Sequence, residues 1–151
     1  MFNAEIIDEV CLVLESSYDL FSKAKSESLK TSSGFHIVRY SIAIARLITA
    51  LANDEVSPIN LSIPELMKPE NEERKNRFSD TCWLIAKMFK LATVVQDKQK
   101  RNEILLLLNR AENVYLDLAL STIIGEEIDY SQIDKELTKI KEELQEVVKV
   151  S

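Results

Sequence analysis

Residues 98–125 read KQKRNEILLLLNRAENVYLDLALSTIIG. Ile104, Leu107, Leu108, Ala111, Val114, Tyr115, Leu118 and Ile123 recur at helical spacing and form one broad apolar face. Asp97 stands where an N-cap is needed, and Gly125 where a left-handed residue closes a helix. Such a helix is about 40 Å long. It can bury that face only against other helices of similar length, and the rest of the chain supplies them.

Upstream, Pro69 followed by Glu70, Glu72 and Glu73 predicts a helix start, with proline near its first position and acids in its first turn. The pattern Phe78, Cys82, Ile85, Phe89, Ala92 and Val95 carries this helix to about residue 96. Before it, residues 55–69 hold all three prolines and read as an irregular connection. Ser62-Ile63-Pro64-Glu65 predicts a single helical turn within it, and the interspersed Ile59, Leu61, Leu66 and Met67 place the segment against the bundle. Residues 35–54 form the most apolar helix, with Ile37, Val38, Tyr40, Ile42, Ile44, Leu47, Ile48 and Leu51 around most of its circumference. That pattern predicts a central position. The serine-rich residues 26–34 read as a loop, and a first helix capped by Asn3 covers about 4–25.

At the other end, Ser131-Gln132-Ile133-Asp134 resembles a capping box. Ile133, Leu137, Ile140, Leu144 and Val147 follow at 4-3-4-3 spacing. This a/d seam of two heptads is long enough to dock on the bundle or on a second copy. It is the candidate protein interface. The expectation is an all-α fold over residues 1–151: one domain, about five helices, an antiparallel four-helix core and an amphipathic C-terminal helix. Two glycines in the whole chain leave little material for the turns of a sandwich or barrel.

Chemistry is sparse. There is no Gly-rich phosphate loop, and His36 is the only histidine. It precedes Arg39, the reverse of the arginine-then-histidine order used in helical ribonucleases. Glu-x-x-His pairs for a di-metal bundle are lacking. Glu-x-x-Glu at 70–73 reads as a helix-dipole complement. Cys11 and Cys82 have no ligand-type spacing and sit in apolar patterns, which suggests buried thiols in a reducing cytoplasm. The sequence therefore predicts no metal and no cofactor. With no run of 18 apolar residues, it also predicts no membrane span.

Two polar constellations remain. His36, Arg39 and Arg46 share one stripe of the apolar 35–54 helix, with Ala43 and Ala50 between. The two guanidiniums suit a carboxylate or phosphate ligand, or an internal pairing with Glu112 or Asp117. The second constellation follows from charge. The net charge of −6 divides into −4 over residues 1–67, +4 over 68–110 and −6 over 111–151. Within the basic stretch Trp83, Lys87, Lys90, Lys98, Lys100 and Arg101 could contact single-stranded nucleic acid, through one stacking platform and several cations. An acidic chain argues against non-specific coating of nucleic acid but not against such a local face.

No motif assigns a family. The function expected is a non-catalytic helical interaction subunit or adaptor with a protein partner or a second copy. The alternative is a small helical subunit of a nucleoprotein complex of the RNA-guided defence type, contacting nucleic acid within residues 74–101. An enzyme using the Arg39/Arg46 trough has less to support it.

Overall fold

The computed structural model describes residues 1–69, 74 and 76–149. Five long helices and one short one account for most of them: α1 Ile6–Lys23, α2 Glu27–Ala52, α3 Ile63–Leu66, α4 Arg77–Val94, α5 Lys98–Ile124 and α6 Tyr130–Val148. The fold is an all-α bundle, as the periodicity implies. The described strands are β1, Phe2–Asn3, and β2, Val56–Ser57, a two-residue parallel pair that ties the N-terminus to the end of α2.

Cross-helix contacts fix the arrangement. Trp83 meets Glu15 and Lys90 meets Asp8, so α1 and α4 run antiparallel. Arg101 reaches the Leu51 carbonyl and Tyr115 reaches Ser41, so α2 and α5 run antiparallel too. Arg110 binds Glu136 and Glu143, placing α6 along α5. Arg77 pairs with Asp134 and Lys141 with Asp80, which sets α6 parallel to α4.

The helix ends follow local chemistry. Ser26, Ser62, Asn76, Asp97 and Asp129 each accept a backbone N–H from the first turn. Gly125 takes φ +83°, a conformation costly to any side chain, and closes α5.

Four boundaries differ from the sequence reading. The segment 26–34 is helix, not loop. Its Ser33 hydroxyl donates back to the Leu29 carbonyl, which lets serine persist in a helix. Gly34 lies against Phe21, where a Cβ would stand 3.2 Å from the ring. The segment is polar because α2 here is largely exposed. Within α4, Arg74 is outside the helix and Asn76 is the cap, so the helix begins about two turns after Pro69. Residues 70–73, including the Glu-x-x-Glu pair, lie outside the described residues. Asp129, not Ser131, caps α6, because its carboxylate accepts from Gln132 N. At the N-terminus α1 starts at Ile6, and the Asn3 side chain accepts from Glu5 N just ahead of it.

The larger correction concerns the centre. The most buried helix is α4, not α2. Phe78, Cys82, Ile85, Ala86, Met88, Phe89 and Leu91 are all inaccessible. Its lysines at 87 and 90 reach outward on long stems. Helix α2 covers one flank and leaves its outer side in solvent.

Candidate interaction surfaces

The outer side of α2 is the most distinctive surface. Phe35, Val38 and Ile42 are 63%, 44% and 50% exposed. They fall at i, i+3 and i+7, and Ala45 and Thr49 extend the same line. This is a 3-4 seam, the pattern a helix uses to receive another helix. Ile37, Ile44, Ile48 and Leu51, on the opposite face, are in the core.

His36, Arg39 and Arg46 run beside the seam, and all three are exposed. The pairing of Arg39 or Arg46 with Glu112 or Asp117 does not form. Among the described residues neither guanidinium has an ion-pair or hydrogen-bond partner. Arg46 is in solvent because an apolar helix on the flank of a bundle exposes whatever shares its outer face. The acids lie elsewhere on α5. Asp117 is exposed, and Glu112 is half-buried, which pushes its carboxyl above the ordinary value. Arg39 and Arg46 are both exposed on the outer side of α2. The ring of His36 lies 6.4 Å from those of Phe35 and Tyr40.

The C-terminal seam is covered within the chain. Leu137, Ile140 and Leu144 are buried, and Ile133 and Val147 are partly buried against the same core. As an interface for another molecule it is unavailable, because α5 already fills it.

Alongside that contact, α5 and α6 leave an open groove of about 470 Å³. Leu106, Leu107 and Val147 form its floor, and Glu103, Glu142, Glu143 and Glu146 its rim. Leu106 is 65% exposed. The one cation on the rim, Arg110, is held by Glu136 at 3.0 Å and by Glu143, and both carboxylates raise its pKa further.

The basic face is divided and largely engaged. Trp83 donates its indole N–H to Glu15 at 2.8 Å, and Arg74 sits 4.6 Å over its ring. Lys90 binds Asp8 at 2.9 Å. Arg101 donates to the Leu51 carbonyl at 2.6 Å and pairs with Asp54. Lys98 and Lys100 stand at the start of α5, and Lys87 lines a recess of about 260 Å³ with Trp83, Arg74, Asp80 and Lys141.

Both thiols are buried. Cys11 donates its thiol to the Cys82 carbonyl at 3.2 Å; burial pushes its pKa up to about 12 and that of Cys82 well above the ordinary range. The Tyr115 and Ser41 hydroxyls share a hydrogen bond of 2.5 Å, and burial raises the phenol. Among the described residues no three His, Cys, Asp or Glu side chains are grouped to hold a metal ion. By length and composition α2 would be able to cross a membrane, but 39% of that stretch is buried inside the bundle.

No protein-family model matches the chain, and neither does any curated protein or solved structure. The geometry alone carries the functional argument.

The periodicity alone does not reveal the α2 seam: it groups Val38 and Ile42 with the apolar residues of a central helix and does not single out Phe35. The available signal was the arginine at 39 and at 46. A charged pair seven residues apart marks the solvent side, and everything beside it shares that exposure.

Proposed function

We propose that this protein is a non-catalytic helical interaction subunit and that the outer side of α2 is its docking face. The observation that carries this reading is the exposed seam of Phe35, Val38 and Ile42 on a helix whose other side is fixed in the core. Flanking it are Arg39 and Arg46, with no acid anywhere from Ser28 to Asn53. The partner that fits is an amphipathic helix with aliphatic residues along one side and carboxylates beside them.

A labelled helical peptide with leucine at its a and d positions and glutamate at e and g serves as the probe. The chain should bind it, and binding should weaken between about 0.1 and 1 M salt, where the Debye length falls from about 10 to 3 Å. Ile42→Arg should abolish binding. Equal binding by Ile42→Arg removes the α2 face from consideration. Sedimentation with anionic vesicles, without peptide binding, would point instead to a membrane surface.

A second reading, nucleic-acid contact, is favoured by the Trp83 recess, where Arg74, Lys87 and Lys141 converge. Binding of single-stranded RNA that falls steeply with salt, and that is lost on changing Lys87 and Lys141 to glutamine, would support it. Engagement of Lys90, Arg101 and the Trp83 N–H within the chain makes it the weaker of the two.

A further inference from the structure

We infer that the α2 seam of one copy docks into the α5/α6 groove of a second copy, head to tail. This rests on the reading of α2 as a docking face and names its partner. The two surfaces are complementary in chemistry. One presents Phe35, Val38 and Ile42 beside two arginines; the other presents an apolar floor ringed by Glu103, Glu142, Glu143 and Glu146.

Arg39 and Arg46 are seven residues apart, a rise of about 10.5 Å. On the rim of the groove Glu142 and Glu146 stand one turn apart on α6 and Glu103 stands on α5, while Arg110 is already paired with Glu136 and Glu143. The carboxylates left for a second molecule are therefore Glu103, Glu142 and Glu146. Leu106 on the floor then meets the aromatic and aliphatic groups of the seam.

One chain cannot satisfy both surfaces by itself. Helix α2 contacts α5 at Arg101 and Tyr115. Arg110, at the groove, is nine residues from Arg101, which is two and a half turns and hence the opposite side of α5. The seam and the groove therefore sit on opposite flanks. Symmetric pairing of α2 with α2 is disfavoured. An antiparallel pair centred between Ile42 and Ala43 brings Arg39 against Arg46 of the second copy, with no acid to separate them. A contact between two different surfaces is heterologous, so each copy keeps one free seam and one free groove, and assembly closes as a ring or continues as a chain.

Two variants test this, each spoiling one surface at an exposed position: Ile42→Arg on the seam and Leu106→Glu in the groove. Sedimentation velocity should show wild-type mass growing past the dimer as concentration rises. Each variant alone should stay monomeric. Their equimolar mixture should form a dimer and stop there, because only one good seam and one good groove remain. Adding Glu142→Lys and Glu146→Lys to Arg39→Glu and Arg46→Glu in one chain should restore association that either pair alone weakens at least about tenfold. A wild type that stays monomeric overturns the inference, as does a mixture that stays monomeric while the wild type associates. If the leucine-glutamate peptide still binds α2 in those cases, only the self-association fails. If the peptide does not bind either, the docking reading fails with it.

Discussion

Helices α2 and α6 carry opposite lessons about apolar content. Helix α2 is the more apolar, yet it leaves Phe35, Val38 and Ile42 in solvent. Helix α6 is polar overall, yet its Leu137, Ile140 and Leu144 are buried. What decides burial is how the apolar residues are distributed around the helix. Helix α6 has one narrow seam and a wet remainder, so docking along α5, with α4 alongside, satisfies it. Helix α2 is apolar on two sides, and a flanking helix has core on only one. The second side remains as an exposed apolar line of Phe35, Val38 and Ile42 beside two arginines.

Stability should follow this contrast. Ile140→Ala removes a fully buried side chain from the α5/α6 contact and should cost about 2–5 kcal/mol by urea denaturation. A cost near zero would mean that α6 is not docked. Tyr115→Phe deletes one half of the Ser41 bond that joins α2 to α5. Since Ser41 also bonds the Ile37 carbonyl, the loss should be about 0.5–1.5 kcal/mol.

A pH series sharpens the account of α5. Burial raises the Glu112 carboxyl in the folded chain above its unfolded value. A group shifted upward favours the fold fully only while protonated, and that contribution is lost as pH rises through the folded pKa. Glu112→Gln should therefore raise the melting midpoint at pH 7, and the advantage should disappear by about pH 4, near the unfolded carboxylate range. Asp134 behaves oppositely. Its hydrogen bond from Arg77 lowers its pKa, so this pair supports the fold above the unfolded pKa and is lost as pH falls through the folded one. The smallest effect belongs to the α2 seam: Ile42→Ser should change stability by no more than about 0.5 kcal/mol. A loss of several kcal/mol would show that Ile42 is core and would break the comparison.

Much of this architecture was legible in the sequence. The periodic runs mark the five long helices, although α2 begins eight residues before and α4 about eight residues after the expected start; Asp97 and Gly125 bound α5, and Ser62-Ile63-Pro64-Glu65 marks the short turn of α3. The serine-rich start of α2 was not legible. Serine is neutral in a helix once its hydroxyl bonds back to a carbonyl, and composition cannot show that bond. The central place of α4 was hidden by its lysines, whose long stems hold charge at the rim of a buried helix. His36, Arg39 and Arg46 were recognised as one stripe, but the groove of Glu103, Glu142, Glu143 and Glu146 was not. Its residues come from two helices, and only their antiparallel docking brings them together.

Methyl NMR tests the docking face most directly. With isoleucine and valine methyls labelled, the leucine-glutamate helical peptide is titrated into the chain held dilute enough to remain monomeric. The Val38 and Ile42 methyls should shift and saturate together, while the core methyls of Ile85 and Ile104 stay in place. Shifts confined to Val147 and its neighbours, or no shift at Val38 and Ile42 while the peptide binds, would contradict it.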